Sequence, residues 1–208
     1  MRKIYLELFG KDSKVIAYGP KENIDTSSQI HDKLKLKKLD YYLIVGRLIP
    51  DNNWDILVNG FKLSSSNKKL VIVGDNPFKN KFQENLTSNY SNNIIFTGLI
   101  KDQAELCDLF KNAYAYLHGH EYGGTNPTLI ESLSFGNAVL ALNTVFNKEV
   151  LQNGKYGLFF EKNKESVREL IQYADSNTKQ ILDLKKKSKN ALKMKYEWNY
   201  IVDQYIEV

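Results

Sequence analysis

The feature of this chain that most constrains its fold is a series of short apolar runs, several of which end in glycine. The first three are YYLIVG, LVIVG and IIFTG, at 41–46, 70–74 and 94–98. Near-continuous apolar runs are typical of strands buried on both faces of a parallel sheet, and the intervening segments are long enough for crossover helices. We therefore predict an α/β fold with a doubly wound parallel sheet and ligands above the carboxyl ends of its strands. The predicted strands are 42–46, 70–74, 94–98, 114–118, 138–142 and 158–160.

Helix signals occupy the segments between these runs. Asp102 and Glu105 form a capping-box pattern ahead of an apolar face. Asn126 and Pro127 are preferred residues for a helix start, and Gly136 is placed to end that helix. The predicted helices are 2–9, 102–112, 127–135, 165–174 and 178–194.

Three further segments have weaker signals. Residues 14–18 predict a short strand, and 21–38 predict a polar, lysine-rich linker with one helical turn. An apolar stripe at 198–205 is expected to pack on a neighbouring surface.

The charge and cysteine content narrow the class of protein. Cys107 is the single cysteine, so an internal disulfide and the usual cysteine-based zinc site are excluded, and a reducing cytoplasm is the simpler setting. The net charge of +5 suits nucleic acid, an anionic membrane or a phosphorylated substrate. No run of about 18 apolar residues and no secretory signal is present. We expect a cytoplasmic protein, with the inner face of the membrane as an alternative location.

A lysine-rich region near the C-terminus has two interpretations. It forms either a solvated helix face or a face that contacts anionic lipid. Nucleic acid is disfavoured because no aromatic side chains alternate with these lysines as stacking platforms. The lysines stand at positions 185, 186, 187, 189, 193 and 195.

Two loops at predicted strand ends are candidate anion sites. Gly46 allows a sharp turn and is followed by Arg47, whose planar guanidinium suits a phosphate; the alternative is a surface arginine paired with Asp51 or with solvent. Gly123 and Gly124 precede the helix start, where backbone N–H groups attract anions. Glycines also serve ordinary tight turns, so that alternative stays open.

Polar side chains beside these loops have their own alternatives. Glu131, in the following helix, is suited to accept the hydroxyls of a ribose, or it simply faces solvent near the positive helix end. His118 and His120 lack a third ligand group, so we expect no metal site. His118 is predicted to end a strand in hydrogen bonds to neighbouring loops. His120 or Glu121 is placed to touch a polar ligand.

Taken together, four segments resemble the C-terminal half of family 4 glycosyltransferases of the GT-B fold. These are GRLIPDNN at 46–53, VIVGDN at 71–76, IIFTGLI at 94–100 and HGHEYGGTNPTLIESLSFGNAVLALN at 118–143. The form HGH-x-x-GGTNP-x-L-x-E is most similar to bacterial rhamnosyltransferases of capsular and other surface polysaccharides. The resemblance implies a Rossmann-like domain that binds a nucleotide-diphosphate sugar, with dTDP-rhamnose favoured. It also implies transfer with retention and without metal or other cofactor.

The resemblance also implies roles for individual residues. Arg47 would contact the donor diphosphate beside Gly46, and Glu131 would bind the ribose. Arg47 and Glu121 are the candidate catalytic residues. The remaining candidate substrate-binding residues are Gly98, Leu99 and Ile100 at the base, His120, and Gly123, Gly124, Thr125, Asn126 and Pro127 around the sugar and diphosphate.

The sequence departs from that family in three ways. Asp51, Asn52 and Asn53 stand where many relatives place a lysine, and Gly123 stands where they place a first glutamate, leaving Glu121 as the nearest acid. Only residues 1–40 resemble the end of a preceding domain and a linker, with the nucleotide-sugar domain at 41–208. We therefore expect a missing N-terminal domain to supply most of the binding site for a saccharide or lipid-linked acceptor.

Two alternatives remain besides the donor half of an enzyme. One is a binding module that kept the nucleotide pocket but needs a partner domain for catalysis. The other is half of a GT-B epimerase or phosphorylase.

Overall fold

The computed structural model describes residues 2–21, 28–75, 92–122 and 124–207. Within them, one parallel sheet contains six strands in the order β3-β2-β1-β4-β5-β6. The strand order reverses between β1 and β4, which opens a crevice at their carboxyl ends. The predicted Rossmann-like, doubly wound fold is confirmed. The strands are β1 (Tyr41–Val45), β2 (Lys69–Val73), β3 (Ile94–Gly98), β4 (Ala115–His118), β5 (Ala138–Leu142) and β6 (Gly157–Phe160).

The central strand β1 shows why the apolar runs are continuous. Tyr42 and Ile44 belong to one hydrophobic cluster, whereas Tyr41 and Leu43 belong to a second. Successive side chains of a strand point to opposite faces, so the two clusters lie on the two sides of the sheet. Both faces of β1 are therefore buried, as the sequence predicts.

Helices connect the strands and continue after the last one. The cap of the helix α4 (Gln103–Asn112) confirms its predicted start, because Asp102 Oδ1 accepts a hydrogen bond from the backbone N–H of Ala104 at 2.8 Å. Short 3-10 helices lie at Pro50–Asn52, Gln152–Gly154 and Ser188–Leu192. The α-helices of the described residues are α1 (Arg2–Phe9), α2 (Ile30–Lys33), α3 (Trp54–Ser64), α4 (Gln103–Asn112), α5 (Pro127–Ser134), α6 (Val145–Val150), α7 (Lys164–Ser176), α8 (Thr178–Lys187) and α9 (Trp198–Ile206).

Several segments differ from the prediction. Residues 14–18 form no strand, because they lie against α9 rather than beside a strand, and Val15 is 73% exposed. The helix predicted over 178–194 ends at Lys187, where the Ser188 hydroxyl donates to the carbonyl of Lys185 at 2.9 Å and a 3-10 helix follows. In the apolar stripe, Ile201 is buried while Tyr205 is 65% exposed.

The linker predicted over 21–38 contains the single helical turn of α2, and its residues 22–27 lie outside the described ranges. In the part of the chain that the structure describes, no helix combines the length and the apolar character needed to cross a membrane.

Candidate active site at the crevice between β1 and β4

A cleft of about 270 Å³ opens at the carboxyl ends of β1 and β4. It brings together the two loops that the sequence singles out, the turn after β1 and the loop that leads into α5. Its lining residues are Ile44, Val45, Gly46, Arg47, Asn52, Trp54, Tyr116, Leu117, His118, Gly119, His120, Asn126, Pro127 and Thr128.

The backbone of the turn after β1 is fixed by close contact with the end of β2 and by two side chains. A Cβ on Gly74, which has a φ of +147°, would lie 1.8 Å from the Gly46 carbonyl oxygen, so only glycine permits this approach of β1 and β2. The carbonyl of Arg47 accepts hydrogen bonds from Asn52 Nδ2 and Trp54 Nε1, each at 2.7 Å. The backbone at Arg47 is therefore held from two sides.

The Arg47 side chain remains available to a ligand. Among the described residues no carboxylate lies within 4.0 Å of its guanidinium, so the alternative of a pair with Asp51 is not found. Burial is the main cause of the lowered pKa of the His120 imidazole, and the nearby positive charge of Arg47 lowers it further. A fixed backbone that carries an unpaired guanidinium at a cleft is suited to a phosphate or carboxylate.

Two asparagines join the turn after β1 to the loop after β4. Asn52 Oδ1 lies 2.6 Å from His120 Nδ1, and Asn53 Nδ2 donates to the Gly119 carbonyl at 2.9 Å. The backbone N–H of Glu121 donates to the Asp51 carbonyl at 3.2 Å. The side chains of Asn52 and Asn53 therefore connect the two loops and add no second cation beside Arg47.

The two histidines of the cleft are neutral near pH 7. Burial lowers the pKa of His118 to about 3, and burial is also the main reason that the pKa of His120 is lowered. Asn52 Nδ2 donates to the Arg47 carbonyl, so Asn52 Oδ1 accepts from His120 Nδ1. His118 ends β4 as predicted, but its Nε2 has no hydrogen-bond partner among the described residues, so the predicted contacts to loops are wrong for that atom.

Glu121 does not line the cleft. Its Oε2 lies 2.6 Å from the Lys162 ammonium in the segment after β6, and this ion pair lowers the pKa of the Glu121 carboxyl. Asn53 Nδ2 contacts the same oxygen at 3.4 Å. The Glu121 carboxylate therefore connects the segments that follow β1, β4 and β6. Its geometry does not support the predicted catalytic role.

The start of α5 forms another wall. Asn126 Oδ1 accepts from the backbone N–H of Thr128 at 3.0 Å, and Pro127 occupies the first turn, as predicted. Tyr116 donates its hydroxyl hydrogen to Val45 at 3.2 Å and also contacts Thr128 Oγ1, which connects β4 to the turn after β1. The amide end of α5 therefore faces the same cleft as Arg47. Gly124 is exposed, and Gly123 lies outside the described residues.

Glu131 lies one turn further along α5. Its Oε1 is 3.5 Å from the ammonium of Lys21, and its side chain is 13% exposed. The predicted ribose site is thus flanked by a residue from the N-terminal segment, which the sequence does not identify. Cys107 is close to both charges, but burial raises the pKa of its thiol to about 11, so it is not a candidate nucleophile.

The candidate base-binding residues lie at the end of β3 and do not line the cleft. The carbonyl of Gly98 accepts from Gly74 N–H at 3.0 Å, while Leu99 is 64% exposed and Ile100 packs against the core. Thr125 uses its carbonyl to accept a hydrogen bond from the Tyr18 hydroxyl.

Several site residues are missed by the sequence analysis. Tyr18, Lys21 and Lys162 make contacts between segments far apart in the chain, so no local pattern marks them. Gly119 and Thr128 lie inside the quoted segment 118–143 and Trp54 directly follows 46–53, so those segments were a signal for them. The missed residues are Tyr18, Lys21, Trp54, Gly119, Thr128 and Lys162. Across the described ranges, no group of three histidine, cysteine, aspartate or glutamate side chains is placed to hold a metal ion.

Comparison with known proteins gives consistent matches. A family model described as "Glycosyl transferases group 1" matches residues 26–191. Alpha-monoglucosyldiacylglycerol synthase of Acholeplasma laidlawii is 28% identical over 155 residues, 70% of this chain and 38% of that protein. The chain therefore spans well under two-thirds of this relative.

Two solved structures share the fold at low sequence identity. Sucrose-phosphate synthase of Thermosynechococcus elongatus has a TM-score of 0.81 at 18% identity, covering 99% of this chain and 54% of the other. Anabaena HepE, solved in complex with UDP and glucose, has a TM-score of 0.81 at 16% identity, covering 99% and 59%.

Proposed function

The chain belongs to the group 1 family of glycosyl transferases, and on that premise we propose that it binds a nucleotide-diphosphate sugar as the donor for glycosyl transfer. The observation that carries the proposal is that Arg47, whose guanidinium has no carboxylate partner among the described residues, lines the same cleft as the capped start of α5. Both features favour a diphosphate. The complex of the structurally similar HepE with UDP and glucose supports the choice of ligand.

The proposed mechanism relies on charge stabilisation. When the bond between the sugar and the diphosphate breaks, negative charge grows on the leaving diphosphate. Arg47 and the positive end of the α5 helix dipole would stabilise that charge. We propose transfer with retention and without a metal ion, on the strength of the family resemblance.

The finer assignment concerns the sugar and its destination. The motif HGH-x-x-GGTNP-x-L-x-E favours dTDP-rhamnose and a role in capsular or other surface polysaccharides. Acceptor recognition is proposed to need a second domain, since the chain spans about half the length of the solved enzymes. Peripheral contact with a membrane would bring a lipid-linked acceptor within reach.

Calorimetry with UDP, dTDP and GDP tests donor binding. We expect at least one to bind, and no heat from any of them at millimolar concentration would contradict the proposal.

Glu131→Ala should weaken the binding of UDP or GDP by about 1–3 kcal/mol, because the buried ribose hydroxyls would lose their acceptor. The loss should be smaller for dTDP, whose deoxyribose offers a single hydroxyl to this carboxylate.

A matched pair of arginine variants tests the diphosphate assignment. Arg47→Ala should weaken the binding of a nucleoside diphosphate much more than that of the nucleoside, since only the diphosphate carries the charge that Arg47 is proposed to bind. Arg168→Ala, at a partly buried arginine of α7 that pairs with Glu169, is the control and should change neither affinity. Equal losses for both ligands in Arg47→Ala would refute the assignment.

A further inference from the structure

Residues 14–21, which we call the strap, connect the C-terminal helix to the candidate site. At one end Lys14 Nζ lies 2.9 Å from Glu207 Oε2. Near the other end the Tyr18 hydroxyl donates to the Thr125 carbonyl, and Trp198 Nε1 donates to the Pro20 carbonyl at 2.7 Å. The strap therefore lies along α9 and contacts the loop that precedes α5.

The strap packs closely enough to fix where its last residue lies. A Cβ on Gly19 would stand 2.9 Å from the Trp198 ring, so this backbone is in direct contact with α9. Two residues later, the Lys21 ammonium donates to Gln103 Oε1 at 2.7 Å and stands 3.5 Å from Glu131 Oε1. Lys21 is thus held between α4 and α5, at the carboxylate assigned to the ribose.

Glu131 is incompletely satisfied in this arrangement. Its Oε1 is enclosed and accepts no hydrogen bond from the described residues, and Lys21 supplies charge only, at ion-pair distance. An enclosed carboxylate oxygen without a hydrogen-bond donor is unfavourable. The hydroxyls of a ribose would supply the missing donors, and the ammonium beside Oε1 stands in the space that they need.

We propose that Lys21 is a further residue of the donor site, which occupies the Glu131 carboxylate in the nucleotide-free protein and is displaced when the ribose binds. This inference rests on the proposed function, because it needs Glu131 to bind the ribose. Displacement is feasible because the Lys21 side chain is 54% exposed and can return to solvent. Exposed ion pairs are weak, so the competition should amount to about two- to fivefold in affinity.

Uridine is the probe that isolates this competition, since it carries both ribose hydroxyls and no charge. Lys21→Met should bind uridine about two- to fivefold more tightly than the wild type at low salt. In the wild type, added salt should strengthen uridine binding by screening the Lys21–Glu131 pair, and in Lys21→Met the affinity should not respond. Calorimetry measures the uridine affinity and its dependence on salt. Where the heat of uridine binding is too small, a competition titration in which uridine displaces UDP gives the same affinity.

Lys33→Met provides a matched control. Lys33 is 59% exposed and pairs with Glu105, a carboxylate of α4 that is 18% exposed, close to the 54% and 13% of the Lys21–Glu131 pair. Like Lys21, Lys33 contacts α4, so Lys33→Met removes the same charge beside the same helix and leaves the Lys21–Glu131 pair in place. Its uridine affinity should equal that of the wild type.

The outcomes separate this inference from the proposed function. Unchanged or weaker uridine binding in Lys21→Met, or an equal gain in Lys33→Met, overturns the role of Lys21 while donor binding stands. If Glu131→Gln, made in Lys21→Met so that no competing ammonium remains, leaves uridine affinity intact, the ribose assignment fails and the inference fails with it. If the wild type binds none of UDP, dTDP and GDP and none of their nucleosides, the proposed function itself is wrong; if guanosine or thymidine binds in place of uridine, the same variants are compared with that nucleoside.

Discussion

His118 is the residue whose burial has the most measurable consequence. It ends β4 at the floor of the cleft, and burial lowers the pKa of its imidazole to about 3. The unfolded chain takes up a proton near pH 6.5, while the folded protein does not until the pH approaches 3. Between these values the unfolded state binds more protons, so the contribution of His118 to stability falls as the pH is lowered.

We predict that this loss disappears in His118→Asn. From pH 7.5 to pH 5 the wild type should lose about 2 kcal/mol more unfolding free energy than the variant, because a single group contributes at most about 1.4 kcal/mol per pH unit. Urea unfolding at several pH values measures the difference. Carboxylates titrate alike in both proteins, so parallel pH profiles would show that His118 takes up a proton normally in the fold.

At the scale of secondary-structure elements, the close contact between β4 and the 3-10 helix after β1 sets the shape of the cleft. A Cβ on Gly119 would lie 2.3 Å from the Asn52 carbonyl oxygen, which is backbone and cannot turn aside. We predict that Gly119→Ala lowers the unfolding free energy by about 1–3 kcal/mol and weakens nucleotide binding, since overpacking separates the two loops.

Gly124→Ala is the control for that change. Nothing lies within 4 Å of a Cβ placed on Gly124, in the same loop region. This variant should stay within about 0.5 kcal/mol of the wild type in stability. Thermal unfolding compares the two, and equal effects would mean that the Gly119 contact does not position the loops.

The strands were predictable because their signal is local. The runs over β1, β2 and β5 are apolar at every position that faces either core. An error of one residue at the ends of these strands does not alter the predicted sheet. Residues 14–18 carry a similar apolar run but lie against α9, and propensity cannot tell these environments apart. The predicted continuation of α8 failed because the Ser188 hydroxyl bonds to the backbone.

The site was predictable only where a motif marks it. Arg47, Asn126 and Pro127 follow strand ends in the sequence, so topology alone brings them to one edge. Lys21 and Lys162 reach Glu131 and Glu121 through contacts between distant segments, and no spacing in a single sequence encodes such pairs.

At the scale of the whole molecule, Lys185 ties the C-terminal helices to the sheet. From α8 its ammonium donates to the Ala113 carbonyl at 2.6 Å and lies 3.4 Å from Asn137 Oδ1, just before β4 and β5 begin. No carboxylate neutralises it among the described residues, and burial lowers its pKa to about 8. Below that pH the folded protein holds a buried charge, which opposes folding.

We predict that this penalty is relieved as the pH rises. Between pH 8 and the unfolded value of 10.5 the unfolded chain binds more protons, so stability increases with pH. From pH 7 to pH 9.5 the wild type should gain about 2 kcal/mol relative to Lys185→Met, which lacks the titrating group. The variant Lys186→Met, at an exposed lysine, should show the same pH dependence of stability as the wild type.

Above pH 10 the buried tyrosines reverse the trend in all three proteins, because burial raises their pKa values and the unfolded chain loses those protons first. Urea unfolding between pH 7 and pH 9.5 therefore isolates Lys185, and identical slopes for wild type and Lys185→Met would show that its charge is solvated rather than buried.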